Sequence, residues 1–246
     1  MKKQKIRFYA ALLCSSMVFS LVSTPVSAAE TGQLTNPPTS TEELSSPESI
    51  SGNEAAAILN GLYAALPVAN GVKEVATAEE LAAALADSSV VKITLAENIY
   101  IGSTLTVNRA VTLDLNGNVL KMNGSGSVIK VESGGNLTIQ DSNTSTPHKF
   151  TPGGDGLWGL DETGGSEIVY GGIITGGTGM PPGVNYSEGG GVYVSAGAAL
   201  TMNGGSIVGC RVTQGGSPEG GGVYLSASDA AFTMNDGAHI IGCWSN

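Results

Sequence analysis

Basic residues are scarce in this chain of 246 residues: 11 Lys and Arg stand against 21 Asp and Glu. Four of the 11, Lys2, Lys3, Lys5 and Arg7, sit at the N-terminus, followed by an apolar stretch from Phe8 to about Val22 and small residues ending in Val26-Ser27-Ala28-Ala29. That layout predicts a secretory leader over residues 1–29, cleaved after Ala28 or Ala29. Ser15, Ser16 and Ser20 interrupt the apolar stretch, which falls short of the roughly 18 apolar residues a membrane span requires. No later segment could cross a bilayer, so no transmembrane segment is expected in the mature chain. Without its leader the chain keeps seven basic residues against 21 acidic ones, a net charge of −14. A field of that sign excludes nucleic acid and anionic lipid as partners. It also disfavours uronic-acid polymers unless a metal ion intervenes.

Aromatic residues make up only 5% of the chain, and there are three Cys and two His. Cys14 leaves with the leader. Cys210 and Cys243 remain, in no metal-type spacing such as C-x-x-C, and nothing calls for a metal or a cofactor. Glycine, in contrast, is abundant at 36 residues, about twice the usual share of roughly 7%. High Gly with few aromatics suits disorder, but a hydrophobic fraction of 41% requires a core. Gly punctuating short aliphatic stretches suits a solenoid.

Residues 30–74 read as a spacer rich in Ser, Thr, Pro and Glu, with a short helix over Glu54–Leu66 that stops at Pro67. Thr77-Ala78-Glu79-Glu80 then fits a capping box, in which the Thr77 hydroxyl accepts from the Glu80 amide while the Glu80 carboxylate reaches back. Leu81, Ala84 and Leu85 follow at helical spacing, and the helix should end near Asp87-Ser88. A strand is expected over Val90–Leu95. Beyond it the helical period vanishes. Leu105–Val107, Val111–Leu115, Val128–Val131 and Leu137–Ile139 mostly alternate, each closed by Gly or Asn, as half-buried strands with tight corners do.

Residues 189–210, GGGVYVSAGAALTMNGGSIVGC, are repeated in 220–243, GGGVYLSASDAAFTMNDGAHIIGC. Leu120-Lys121-Met122-Asn123-Gly124 reads as a partial echo of the Thr-Met-Asn portion. Each unit offers three strands and three corners. One unit cannot bury its own aliphatic face, but stacked units can, about 4.8 Å apart. Val192, Val194, Leu200, Met202 and Ile207 are expected inward, with Val223, Leu225, Phe232, Met234 and Ile240 as their partners. Tyr193, Thr201, Tyr224 and Thr233 are expected outward. The fold class is therefore all-β: a right-handed parallel β-helix over 75–246, whose N-terminal edge is covered by the Thr77–Asp87 helix. The chain stops directly after a repeat, which reads as truncation at the C-terminus.

The search for chemistry yields candidates that each have a structural reading. Asp229 and Asp236 lack carboxylate partners in the previous unit and read as solvated turn residues. Asp161-Glu162 is the one adjacent acidic pair in the second half and reads as a loop. Gly153-Gly154-Asp155-Gly156 resembles a calcium-binding nonapeptide but occurs once, without the stacked copies such sites need. Gly124-Ser125-Gly126 opens no helix and so makes no phosphate cradle. His148 and His239 are expected at the surface or at corners. The segment Asp141–Glu188 is the least repetitive. It holds Trp158, Tyr170 and Tyr186 around one recognisable strand, Gly172–Thr175, and reads either as a projecting binding loop or as an irregular coil whose aromatics pack on the side of the helix. Cys210 and Cys243 fall at one corner of consecutive coils, where a spacing of about 4.8 Å admits a disulfide; a reduced, stacked pair is the favoured reading, because in-register side chains point the same way and follow aliphatic strands.

Three stretches carry a resemblance: Val75-Ala76-Thr77 with the following Glu-Glu-Leu helix, Leu113-Asp114-Leu115-Asn116-Gly117, and the GGGVY…TMN…IxGC units. From about Val75 onward the chain resembles the large secreted and surface proteins of Gram-positive gut bacteria that carry pectin-lyase-like β-helix repeats. The resemblance is specific for fold and says little of activity, because such repeats serve as adhesin stalks, as carbohydrate-binding surfaces and as scaffolds for lyases and hydrolases. Lyases of this fold use an acidic cluster for calcium with a nearby Arg or Lys as base. Here Arg211 is the one basic residue in the well-marked repeats. The favoured reading is a secreted or cell-surface β-helix without catalytic activity, adhesin-like, carbohydrate-contacting or structural, with glycans or host and cell-surface polymers as partners. Tyr193 and Tyr224, stacked on one outer face, are the candidate ligand-binding residues. The alternative is the N-terminal fragment of a polysaccharide lyase or glycoside hydrolase whose active site lies downstream.

Overall fold

The computed structural model describes residues 71–179, 189–212 and 219–245. The expected leader, most of the spacer and the Glu54–Leu66 helix lie outside them, as does Tyr186. The described chain opens with β1 (Val72–Val75), ahead of the Val75 start expected from sequence, followed by α1 (Ala78–Ala86). A first coil holds β2 (Lys92–Leu95), β3 (Ile99–Ile101) and β4 (Leu105–Val107). A second holds β5 (Ala110–Asp114), β6 (Val119–Met122) and β7 (Ile129–Val131). The third begins with β8 (Asn136–Gln140) and is interrupted by β9 (Pro147–Pro152), β10 (Trp158–Leu160) and β11 (Glu167–Tyr170). It resumes with β12 (Ile173–Thr175) and β13 (Val192–Val194). The fourth holds β14 (Ala199–Met202), β15 (Gly205–Val208), β16 (Arg211–Val212) and β17 (Val223–Leu225). The last holds β18 (Ala231–Met234), β19 (Ala238–Ile241) and β20 (Trp244–Ser245).

Stacking these coils produces three long parallel sheets, in the orders β1-β2-β5-β8-β14-β18, β3-β6-β12-β15-β19 and β4-β7-β13-β17, and a short parallel pair, β16-β20. The long ones are called the first, second and third sheets below. The fold is thus an all-β parallel β-helix, as the repeats predict. Equivalent positions form rows along its axis, and the inward rows are aliphatic. Ile99, Leu120, Ile174, Ile207 and Ile240 share one row, and Leu105, Ile129, Val192 and Val223 another. Each fully buried side chain of this size contributes about 1.5–3 kcal/mol relative to exposure.

The repeat alignment holds residue for residue. Tyr193 pairs with Tyr224, Met202 with Met234, and Ile207 with Ile240. Burial follows it only in part. Val194, Met202 and Ile207 are buried, whereas Leu225, which ends the fourth coil, and Met234 and Ile240 in the last coil are 40%, 51% and 38% exposed. Among the described residues no further coil lies on that edge, so the inward row ends there. The echo at Leu120-Lys121-Met122 is corrected by the register. Those residues lie in the second sheet, beside Ile174, while the neighbour of Leu200-Thr201-Met202 is Leu137-Thr138-Ile139 in the first sheet. Any half-buried strand shows the same local alternation, so a short likeness does not say which side of the solenoid it occupies.

At the opposite edge α1 acts as the cap. Thr77 is its N-cap, with Oγ1 accepting from the Glu80 amide at 3.2 Å. The Glu80 carboxylate reaches back to the Ala76 amide at 2.8 Å. Leu81, Ala84 and Leu85 are buried in the same core as the coils. Arg109, on the corner before β5, donates to the carbonyls of Ala84 at 2.9 Å, Leu85 at 3.1 Å and Val90. The carbonyls of Ala84 and Leu85 are ones that a helix end leaves without intrahelical partners, and Val90 lies beyond the helix, so one side chain both closes the helix and ties it to the solenoid.

The segment expected to hold one recognisable strand holds three more. β10, β9 and β11 form an antiparallel sheet in that order. It packs on the outer face of the second sheet, where Phe150 and Val169 meet Val119, Ile173 and Val208 in a separate apolar cluster. The structure therefore supports the packing reading of that segment for Trp158, which lies beside Phe150 with ring centroids 6.4 Å apart. Tyr170 is exposed.

Candidate functional site

On the third sheet the outward row runs Thr106, Lys130, Tyr193, Tyr224. Tyr193 and Tyr224 alternate with the buried Val192 and Val194 and their partners in β17, so the pleat turns both rings outward. Their centroids are 5.5 Å apart with an interplanar angle of 44°. Lys130 Nζ lies 5.6 Å from the Tyr193 ring centroid and 2.9 Å from Glu132 Oε1. The strip offers two apolar ring faces, two phenol hydroxyls and a cation at one end. Such a set can stack on a ring and hydrogen-bond its hydroxyls.

A second concave feature lies where β10 leans over a corner of the second sheet. It is a cleft of about 390 Å³. Trp158 is part of its wall, and Lys121, Asn123, Thr175, Arg211 and glycine backbone are among the other groups that line it. The sequence marked Trp158 and Arg211 separately, and Lys121 only as part of the Leu120–Gly124 echo. They lie in β10, β16 and β6, and only the coiling brings them together. Glycine lets Trp158 approach this closely: a Cβ on Gly209 would stand 1.7 Å from the Trp158 carbonyl oxygen, and one on Gly242 2.2 Å from the indole.

The remaining candidates resolve into structural parts. Asp161 accepts from the amide of Gly164 at 2.9 Å and the hydroxyls of Thr163 at 3.0 Å and Thr151 at 3.1 Å. Those bonds, led by the Gly164 amide, hold its carboxyl below the usual range. Glu162 faces away from Asp161 and bonds His148 Nδ1 at 2.8 Å. His148 is a correction to its expected surface place: it is buried, with Nε2 3.0 Å from the carbonyl oxygen of Gly117. The cause is β9, whose alternation turns His148 and Phe150 onto the solenoid. Gly117 follows Asn116 in a turn with φ of 73° and 49°, the left-handed region that Asn and Gly tolerate.

Asp155 caps the β9–β10 turn by accepting from the Leu157 amide at 3.1 Å. Asp229, Asp236 and His239 are exposed. The Gly126 amide donates to Thr178 Oγ1 at 3.1 Å. Among the described residues no three His, Cys, Asp or Glu side chains converge on a cation-sized site, and no helix is long and apolar enough to cross a membrane. Cys210 and Cys243 occupy one corner of adjacent coils, just before the paired Arg211 and Trp244. Both are free, and the hydrogen bond with Cys243, together with burial, pushes the Cys210 thiol well above its ordinary pKa.

Among the described residues Asp114 is the one buried carboxylate. It bonds Lys92 Nζ at 2.9 Å, Gln140 Nε2 at 2.8 Å and the Ser142 amide at 2.9 Å, so it joins three coils. Burial pushes its pKa up, but those hydrogen bonds together outweigh burial and hold it below the ordinary 3.8.

Residues 72–179 match the family model described as "Putative pectate lyase-like adhesive domain". The chain carries a pectate-lyase-like β-helix. Neither the curated proteins nor the solved structures returned a match. The matched residues run from β1 to just past β12 and include the inserted sheet. Tyr193 and Tyr224 lie beyond them.

Proposed function

We propose that this chain is an exported, surface-displayed adhesin-like β-helix that contacts glycans without cleaving them, through the strip of Tyr193 and Tyr224. The observation that carries the reading is that strip: two tyrosines in exact register on an outer face, 5.5 Å between ring centroids. The adhesive description of the matched family supports it, and so does the leader-like N-terminus. Three of the acidic side chains already have structural tasks: Asp114 joins coils, Asp161 closes a turn and Glu162 holds His148. The test is a glycan array probed with the full exported chain and with Tyr193→Ala plus Tyr224→Ala. The wild type should bind, and the double variant should lose at least about tenfold in affinity, the scale of losing two aromatic contacts. Unchanged binding removes the strip from the function. Calcium-dependent release of unsaturated uronide by the same preparation would make the chain a polysaccharide lyase.

A further inference from the structure

Acidic residues outnumber basic ones 21 to 11 in the chain, yet the cleft beside Trp158 is lined by two cations and by no Asp or Glu. Most other basic side chains of the solenoid are already engaged. Lys92 pairs with Asp114, Lys130 with Glu132, and Arg109 closes α1. Lys121 and Arg211 have no ion-pair partner among the described residues. They approach the cleft from two different sheets, so their convergence is not a property of one exposed strand.

The outward row through Lys121 shows how the cleft is built. It runs Tyr100, Lys121, Thr175, Val208, Ile241. The inserted sheet covers the apolar end, Val208 and Ile241. The polar members, Thr175 and Lys121, lie where the insert ends and the cleft opens. Tyr100, 52% exposed, stands on the next coil beyond. The row therefore passes from apolar under the insert, to cationic in the cleft, to aromatic outside it. The half-buried indole of Trp158 walls the same space, whose volume is in the range of small-ligand sites.

We propose that this cleft binds an anionic sugar, its carboxylate or sulfate held between Lys121 and Arg211 and the apolar face of its ring against Trp158. Guanidinium and ammonium groups make charge-assisted hydrogen bonds to such anions, and an indole face accommodates the C–H side of a sugar ring. Two cations in the cleft replace the bridging metal that a net negative chain would otherwise need for an anionic glycan. The site is separate from the tyrosine strip, which lies on the third sheet, and it stands or falls independently of that strip.

The test uses the full chain, titrated by calorimetry with four probes in EDTA: a sialylated trisaccharide, an oligogalacturonate, a sulfated disaccharide and a neutral cello-oligosaccharide. At least one anionic probe should bind, with affinity falling as salt rises, and the four arms identify the source of the anion. Made in the Tyr193→Ala plus Tyr224→Ala background, which takes the strip out of the titration, Lys121→Gln plus Arg211→Gln should still weaken that binding at least about tenfold. Trp158 packs on Phe150 and Gly242, so the charge variants carry the test, with circular dichroism confirming that they fold. Equal binding by the charge variant, preference for the neutral probe, or no binding of any anionic probe would overturn the site. Loss in the tyrosine variant alone would instead assign all binding to the strip.

Discussion

The third sheet presents its outer face to solvent, whereas the second sheet has much of its outer face under an inserted antiparallel sheet. The sequences of their strands record the difference. On the third sheet β7 and β13 read Ile-Lys-Val and Val-Tyr-Val, with the middle residue outward. On the second sheet β12 reads Ile-Ile-Thr and β15 Gly-Ser-Ile-Val, buried at every position. A strand covered on both faces loses its alternation and becomes a short continuous run. The uncovered face keeps a repeated aromatic strip. The covered face gains a second apolar cluster and, at the edge of the cover, a cleft. Regular stacking thus makes a uniform surface, and one interruption of the repeat makes the chain's most individual feature.

Three changes break or sharpen this contrast. The largest effect is expected from Phe150→Ala, which empties the centre of the cluster under the insert and should cost about 3–5 kcal/mol locally. Hydrogen exchange should show lost protection over β9–β11, with β5, β8 and β14 still protected. An even loss through all coils would mean that insert and solenoid unfold as one unit.

A smaller effect is expected at Asp114, which serves the regular coils. Its pKa is depressed in the folded state, so its stabilisation is present above the unfolded-state value near 3.8 and is lost as pH falls through the lower folded-state value. Asp114→Asn should cost about 1–3 kcal/mol near neutral pH and should flatten the fall of Tm below about pH 4. Equal acid sensitivity in variant and wild type would assign the acid transition to other carboxylates.

The smallest effect is expected at Ser206, whose hydroxyl is buried under the insert without a hydrogen-bond partner. Ser206→Ala removes an unsatisfied group and should raise stability by about 1 kcal/mol, read as a higher Tm. A lower Tm would show that the hydroxyl has a partner in solution.

Local features were legible where each residue's neighbours in sequence decide its state. The Thr77–Glu80 cap, the alternation in β4, β7 and β8, and the pairing of Tyr193 with Tyr224 are of this kind. Two copies of one unit must stack in register, because only then do the aliphatic positions meet. The sequence by itself therefore determined the solenoid, its inward rows, the capping helix and the outer place of the tyrosines. Only the tertiary structure decided that Leu120 belongs to the second sheet, that His148 is buried on Gly117, and that Trp158 stands over Gly209 and Gly242. Those contacts join segments separated by one or more turns of the coil. Which segments meet there depends on the length of every intervening corner and on an insert with a core of its own, and neither leaves a periodic trace in the chain.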